Sequence, residues 1–129
     1  MSDQESPSSF ELVGHGEFTL AEVTCGHGSL ATVQDATDLV GNASFSGATH
    51  MLLPAECLDA SFFDLRSGFA GEVMQKFVNY HLRLAIIGDF ERYGSASLQA
   101  FIREANAGRH FAFVADRSEA LAVITSRLN

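Results

Sequence analysis

Asp89, Arg92 and Tyr93 put a carboxylate, a guanidinium and a phenol side by side, just after the apolar run Leu84-Ala85-Ile86-Ile87. A carboxylate receives an ammonium or N–H donor, a guanidinium grips a carboxylate or phosphate with two bonds, and a phenol can donate, accept or stack. Glu56 follows an earlier apolar run, Met51-Leu52-Leu53, and brings a second carboxylate to the same edge if both runs are strands of one sheet. The carboxyl ends of parallel strands are where open α/β sheets place ligand crevices, so these four residues form the first candidate site. The plainer alternative for Asp89 is a turn residue that hydrogen-bonds the N–H groups of its own loop.

A second candidate is Arg66-Ser67-Gly68, with Gly71 one turn on. Free N–H groups and the dipole of a helix beginning there attract a small anionic ligand, and glycine lets it approach the backbone. The competing reading has the glycines serving helix–sheet packing and Arg66 pairing with a surface acid. Cys25, His27 and His15 are soft and imidazole donors, but they lack the four-ligand spacing of a structural zinc site, so no metal and no other cofactor is expected. Cys57 beside an apolar segment reads as a small buried hydrophobe. Glu72 and Lys76 stand at the i,i+4 spacing of a surface ion pair.

The elements that must carry these groups are legible from periodicity. Phe69, Ala70, Val73, Met74 and Phe77 recur at three- and four-residue steps between Ser67 and Tyr80, the pattern of a helix with a broad apolar face. Ser61 and Asp64 stand at capping-box spacing ahead of it. Leu82 to Ile87 is nearly all apolar, as a strand covered on both faces requires. Upstream, Phe10 to Val13 and Phe18 to Thr24 read as a hairpin around Gly14-His15-Gly16-Glu17. A helix starts near Thr32, turn chemistry occupies Asn42 to Gly47, and Thr49 to Leu53 is a strand closed by Pro54. Downstream, Ser95 caps a helix that ends by Asn106 to Gly108, His110 to Ala115 is a strand, and Asp116 with Glu119 opens a last helix.

The resulting fold class is α/β: a single mixed, mostly parallel sheet with helices and an N-terminal β-hairpin, in the order ββαβαβαβα. Residues 1–9 are polar and read as a disordered tail, and residues 10–129 as one domain. The chain has 129 residues, 47% of them hydrophobic, with eleven Phe and no Trp, so it can bury a phenylalanine-rich core without staples. A net charge of -8 excludes electrostatic affinity for nucleic acid or anionic lipid. Two cysteines make no disulfide framework, and no leader segment or membrane-length apolar run is present, so a cytoplasmic location is expected.

The string SFFDLRSGFAGEVMQKFVNYHLRLAIIGDF, followed by SLQAFIREANAG and HFAFV, resembles a bacterial family of small proteins, the domain of unknown function 4180. The resemblance spans Thr32 to Leu128 and implies no catalytic residues, nor any role for His15 or His27. At the level of fold the chain is also similar to the sulfate-transporter and anti-sigma-factor-antagonist (STAS) domain, which has a short β opening and then alternating helices and strands. That likeness implies phosphorylation at Ser67, where Asp64, Ser67 and Gly68 echo its Asp-Ser-Ser-Gly setting, although Leu65 and Arg66 interrupt the motif. The expected function is a non-enzymatic binding or regulatory module that meets a protein partner or a copy of itself. The alternative is a protein that binds a small anionic molecule, or an enzyme, with its site at the strand carboxyl ends.

Overall fold

The computed structural model describes residues 8–129. The tail expected over residues 1–9 therefore lies outside the described residues for positions 1–7, while Ser8 and Ser9 open the first strand. The elements are β1 (Ser8–His15), β2 (Phe18–Cys25), α1 (Val33–Phe45), β3 (His50–Pro54), α2 (Phe69–Asn79), β4 (Arg83–Ile87), α3 (Ala96–Asn106), β5 (Phe111–Val114) and α4 (Arg117–Ser126). Their order is ββαβαβαβα.

Local chemistry sets most of the boundaries. The hairpin is tighter than the four-residue connection expected, because pairing continues to His15 and Phe18 and Gly16 turns the chain at φ +62°. Thr32 caps α1 in a capping box: Asp35 N–H donates to its hydroxyl at 3.0 Å, and the Asp35 carboxylate accepts from Thr32 N–H at 3.0 Å. The helix then runs through Asn42 and Ser44, which turn propensity had assigned to a loop. Burial of Ala36, Leu39, Val40 and Ala43 along one stripe outweighs that weak preference.

The segment before α2 differs from expectation in kind. Ser61 and Asp64 form no capping box. Instead Asp59 accepts from Ser61 N–H and Asp64 accepts from Arg66 N–H, each starting a short 3-10 turn, at Ala60–Phe63 and Leu65–Ser67. Gly68, at φ +78°, ends the second turn, and α2 begins only at Phe69.

The sheet has the order β1-β2-β3-β4-β5, with β1 antiparallel to β2 and every later neighbour parallel. Because the order never doubles back, right-handed crossovers send α1, α2 and α3 to one face. Their residues Val40, Ala43, Phe69, Val73, Phe77 and Leu98 join Met51, Leu53, Leu84 and Ile86 in the main core. Helix α4 covers the other face alone. Ala120, Ile124 and Leu128 settle on Leu20, Leu52, Ala85 and Ala112, where two alanines let the helix come close. Arg117 at the start of α4 donates to Glu22 on β2 at 2.9 Å. That bond holds the Glu22 carboxyl below its ordinary value and relieves the like charge of Glu11 directly across the hairpin.

Cys25 ends β2 and Cys57 lies in a 3-10 turn at Ala55–Cys57, their Cα atoms 5.7 Å apart, and the two form a disulfide. Reading Cys57 as an unpaired buried thiol is therefore corrected. The pairing joins residues 32 apart in sequence, which only the neighbouring ends of β2 and β3 bring together. It also removes the thiol-based ground for expecting a reducing compartment. No helix of the described residues is long and apolar enough to cross a membrane.

His50 is the one buried polar residue among those described, 2% exposed. Its Nε2 bonds the Leu128 carbonyl at 2.7 Å and its Nδ1 meets the Thr49 hydroxyl at 2.8 Å, so it ties the end of α4 to the sheet. Burial lowers its pKa below 6.5, with the nearby charges of Arg83, His15 and His110 acting in the same direction. Burial likewise lowers the pKa of His110. Unfolded imidazoles then take up protons that the folded ones refuse, so stability is full above pH 6.5 and falls as the pH drops below it. Urea midpoints measured between about pH 5 and pH 8 should show this slope, and His50→Gln should flatten it. Identical slopes in the two proteins would refute the assignment.

Candidate functional site

The connections after β3 and β4 leave the sheet at the same rim. The chain leaving β3 forms the three 3-10 turns between Ala55 and Ser67, and the chain leaving β4 makes a fourth at Phe90–Arg92. Between them lies a hollow of about 330 Å³, with Leu58, Phe63 and Ile87 as apolar lining and Glu56, Asp89, Arg92 and Tyr93 as the polar one; His27 joins from the loop after β2. That size is within the range of small-molecule sites. The strand order has no reversal, so this is no crevice of the doubly wound type. It exists because two bulky loops stand apart at adjacent strand ends.

Two features set its shape. Gly88, the first residue beyond β4, lies where an added Cβ would come 2.7 Å from Cβ of Ala55 and 3.2 Å from the Phe90 ring. Only glycine lets the two walls approach at their base. The second is Gln99 on α3, whose amide donates to the carbonyls of Phe90 at 2.7 Å and Tyr93 at 3.1 Å and so clamps the loop after β4. Asp89, which the turn reading would have had tie this loop, makes no side-chain capping bond. Its carboxylate stands exposed on the hollow.

The rings give the site its rigidity. Tyr93 stacks on Phe63 with centroids 4.9 Å apart and planes 19° from parallel, which joins the two loops across the hollow. The Arg92 guanidinium lies 5.4 Å from the Tyr93 centroid, a cation over an aromatic face. Contact with Tyr93, and more weakly the charge of Asp89, raises the pKa of Arg92 further.

Asp89 and Gly88 also border a second hollow of about 480 Å³ between the ends of β4 and β5 and helix α3. Its lining combines Glu91 and Glu119 with Phe90, Ile102 and Phe113. The Glu119 carboxylate is engaged there, accepting from Ala115 N–H at 2.9 Å.

The structure thus brings Glu56, Asp89, Arg92 and Tyr93 together and leaves Arg66, Ser67 and Gly68 apart from them, lining neither hollow. The Arg66 guanidinium is fully out in solvent and approaches Asp64 at 3.3 Å. The Ser67 hydroxyl donates to the Ser61 carbonyl at 2.6 Å and accepts from Phe69 N–H at 3.1 Å, so it serves the start of α2. Gly68 provides the left-handed residue between turn and helix. Glu72 is exposed on α2. Among the described residues no group of three or more His, Cys, Asp or Glu side chains is placed to hold a metal ion. No spacing or composition signal in the sequence marks Phe63 or the role of Gly88. Only the position of Gln99 in the first turn after the Ser95 cap, facing back toward the preceding loop, could have suggested its clamp.

Residues 15–124 match the model of one family, the Domain of unknown function (DUF4180). The chain belongs to the DUF4180 family. No curated protein and no solved structure matches it. The DUF4180 match begins at His15, well before Thr32, and so takes in β2, both cysteines and every residue lining the two hollows. The rim hollow therefore lies wholly within the matched residues.

Gly88→Ala should push Ala55 and Phe90 apart and cost about 1–3 kcal/mol, the usual range for overpacking. Chemical denaturation checks the cost. A neutral result would mean that the walls do not meet at Gly88.

Proposed function

We propose that this protein is a non-enzymatic binding module whose rim hollow takes a small zwitterionic molecule, one bearing an amino group and a carboxylate or phosphate. The observation that carries the reading is the exposed Asp89 carboxylate, which makes no capping bond in a hollow where Gln99 already does the loop-tying that would otherwise explain it. Asp89 and Glu56 suit an ammonium, the Arg92 guanidinium suits the anionic end, and Leu58, Phe63 and Ile87 suit an apolar middle. A small ligand with an anionic group thus fits Arg92 better than Arg66, which solvent surrounds and Asp64 accompanies.

A second reading, association with a protein partner or another copy, draws on Phe45, 95% exposed at the end of α1, and on Val78 and Tyr80 at the end of α2. Regulation by phosphorylation at Ser67, in the manner of the STAS likeness, is part of that reading. A phosphate there would remove the bond from the Ser67 hydroxyl to the Ser61 carbonyl. The cytoplasmic setting proposed for such a module needs support other than its cysteines.

Thermal shift against amino acids and longer amino-carboxylates, with diacids and diamines of equal length as controls, tests the first reading. A zwitterion at a hundred times its dissociation constant should stabilise by about 2.7 kcal/mol, raising Tm by roughly 10 °C. Asp89→Asn and Arg92→Ala should each abolish the shift. A panel in which no zwitterion outperforms its controls, or a shift that survives both substitutions, would reject it.

A further inference from the structure

We infer that the Cys25–Cys57 disulfide, which joins the two segments that bring His27 and Glu56 to the rim hollow, is a reducible clasp: it fixes the wall carrying His27 and Glu56, and a dithiol reductant releases that wall without unfolding the domain. The bearing of such a clasp on function rests on the proposal that the hollow binds a ligand. Cys25 is the last residue of β2 and lies two positions before His27; Cys57 lies one after Glu56. His27 and Glu56 both line the hollow. The bond therefore joins the two short segments that form this side of it.

The extent to which the segments part on reduction depends on what else joins them. At the inner end, Leu30 N–H donates to the Cys57 carbonyl at 2.8 Å and Asp59 N–H to the Leu30 carbonyl at 3.0 Å, making an isolated parallel bridge from Leu30 to Leu58. Leu30 and Leu58 are 2% and 5% exposed and belong to the main core, so this end stays anchored whatever the redox state. Toward the hollow, among the described residues, only one backbone bond spans the gap, from Gly28 N–H to the Glu56 carbonyl at 2.7 Å. His27 and Glu56 are exposed, Gly28 sits at φ +66°, and Glu56 belongs to a turn of three residues. A segment with so few bonds opens locally at low cost once its covalent tie is cut. The Leu30–Leu58 bridge is then the pivot and the His27–Glu56 edge is the part that swings.

Access sets the direction of the chemistry. Cys25 is half-buried while Cys57 is fully buried, so a thiolate of the reductant attacks Cys25 Sγ. The S–S bond breaks, its electron pair leaves on Cys57 Sγ, and that sulfur takes a proton. The second thiol of the reductant loses its proton and attacks its own sulfur in the mixed disulfide, expelling Cys25 as a thiolate that is protonated in turn. The dithiol gives up two electrons and two protons and ends as a cyclic disulfide; the protein gains two thiols.

Residue-resolved hydrogen exchange of the full chain, before and after treatment with dithiothreitol under native conditions, tests this without any added ligand. Reduction should speed exchange of the Gly28 amide about tenfold or more, while Leu84, Ala85 and Ile86 keep their rates in β4. The double variant Cys25→Ala/Cys57→Ala, if folded, should match the reduced protein. A bond that resists dithiothreitol in the folded chain overturns the inference. So does reduction that leaves Gly28 protected, or that speeds β4 equally. A failed zwitterion panel beside an opening clasp rejects the ligand reading alone, and a successful panel beside a rigid reduced wall rejects the clasp alone.

Discussion

The handedness of the crossover connections, applied to a sheet whose strands follow one another in sequence order, decides where everything else in this chain lies. Each step from β2 to β5 carries its helix to the same face, so three helices and the larger apolar cluster share one side. The same constraint delivers every strand-to-helix connection to one rim. It also leaves the opposite face bare until α4 returns across it, and a single helix must then pack against residues from four strands. The sequence meets that demand with small side chains beneath the helix, Ala85 and Ala112, and with two polar ties at its ends: Arg117 to Glu22 at the start and His50 to the Leu128 carbonyl at the finish.

At the rim, the chain has no ladder of backbone bonds to rely on and uses rings instead. Tyr93 stacks on Phe63, Phe63 meets Phe90, and Phe90 packs edge-on against Phe113 in the core of β5. Pairs of this kind contribute about 0.5–1.5 kcal/mol each beyond the area they bury. A chain with eleven phenylalanines thus extends its core outward into the loops. Phe63 and Tyr93 of this chain of rings line the hollow, whereas on the side of His27 and Glu56 two short irregular segments are joined by the disulfide and a few backbone bonds.

What was legible in the sequence was whatever depends on neighbours along the chain. The alternation of apolar runs gave the element order, and local caps at Thr32, Ser95 and Asp116 fixed helix starts because a side chain reaching two or three residues ahead leaves its trace in spacing. Asp89, Arg92 and Tyr93 were placed at the rim for the same reason, since each comes directly after the end of β4. What was not legible depends on residues distant in sequence. The disulfide, the approach of Ala55 to Gly88 and the Phe63–Tyr93 stack arise only once β3 and β4 lie side by side. Capping at Ser61 failed on a different ground: two aspartates offered competing bonds to nearer N–H groups, and the turn they made was 3-10.

Polar groups in this domain divide by what they are bonded to. His50, Gln99, Asn106 and Asp59 each bond backbone that would otherwise be unsatisfied or free, and the fold would be weaker without them. Asp89 is different. It is exposed, so its charge costs the folded state little, and it makes no capping bond that would contribute to stability. It stands beside a guanidinium held on an aromatic face, whose charge it favours, and borders an apolar lining. The same division separates the two candidate sites: Ser67 and Gly68 are consumed in starting α2, whereas Asp89 and Arg92 line the rim hollow.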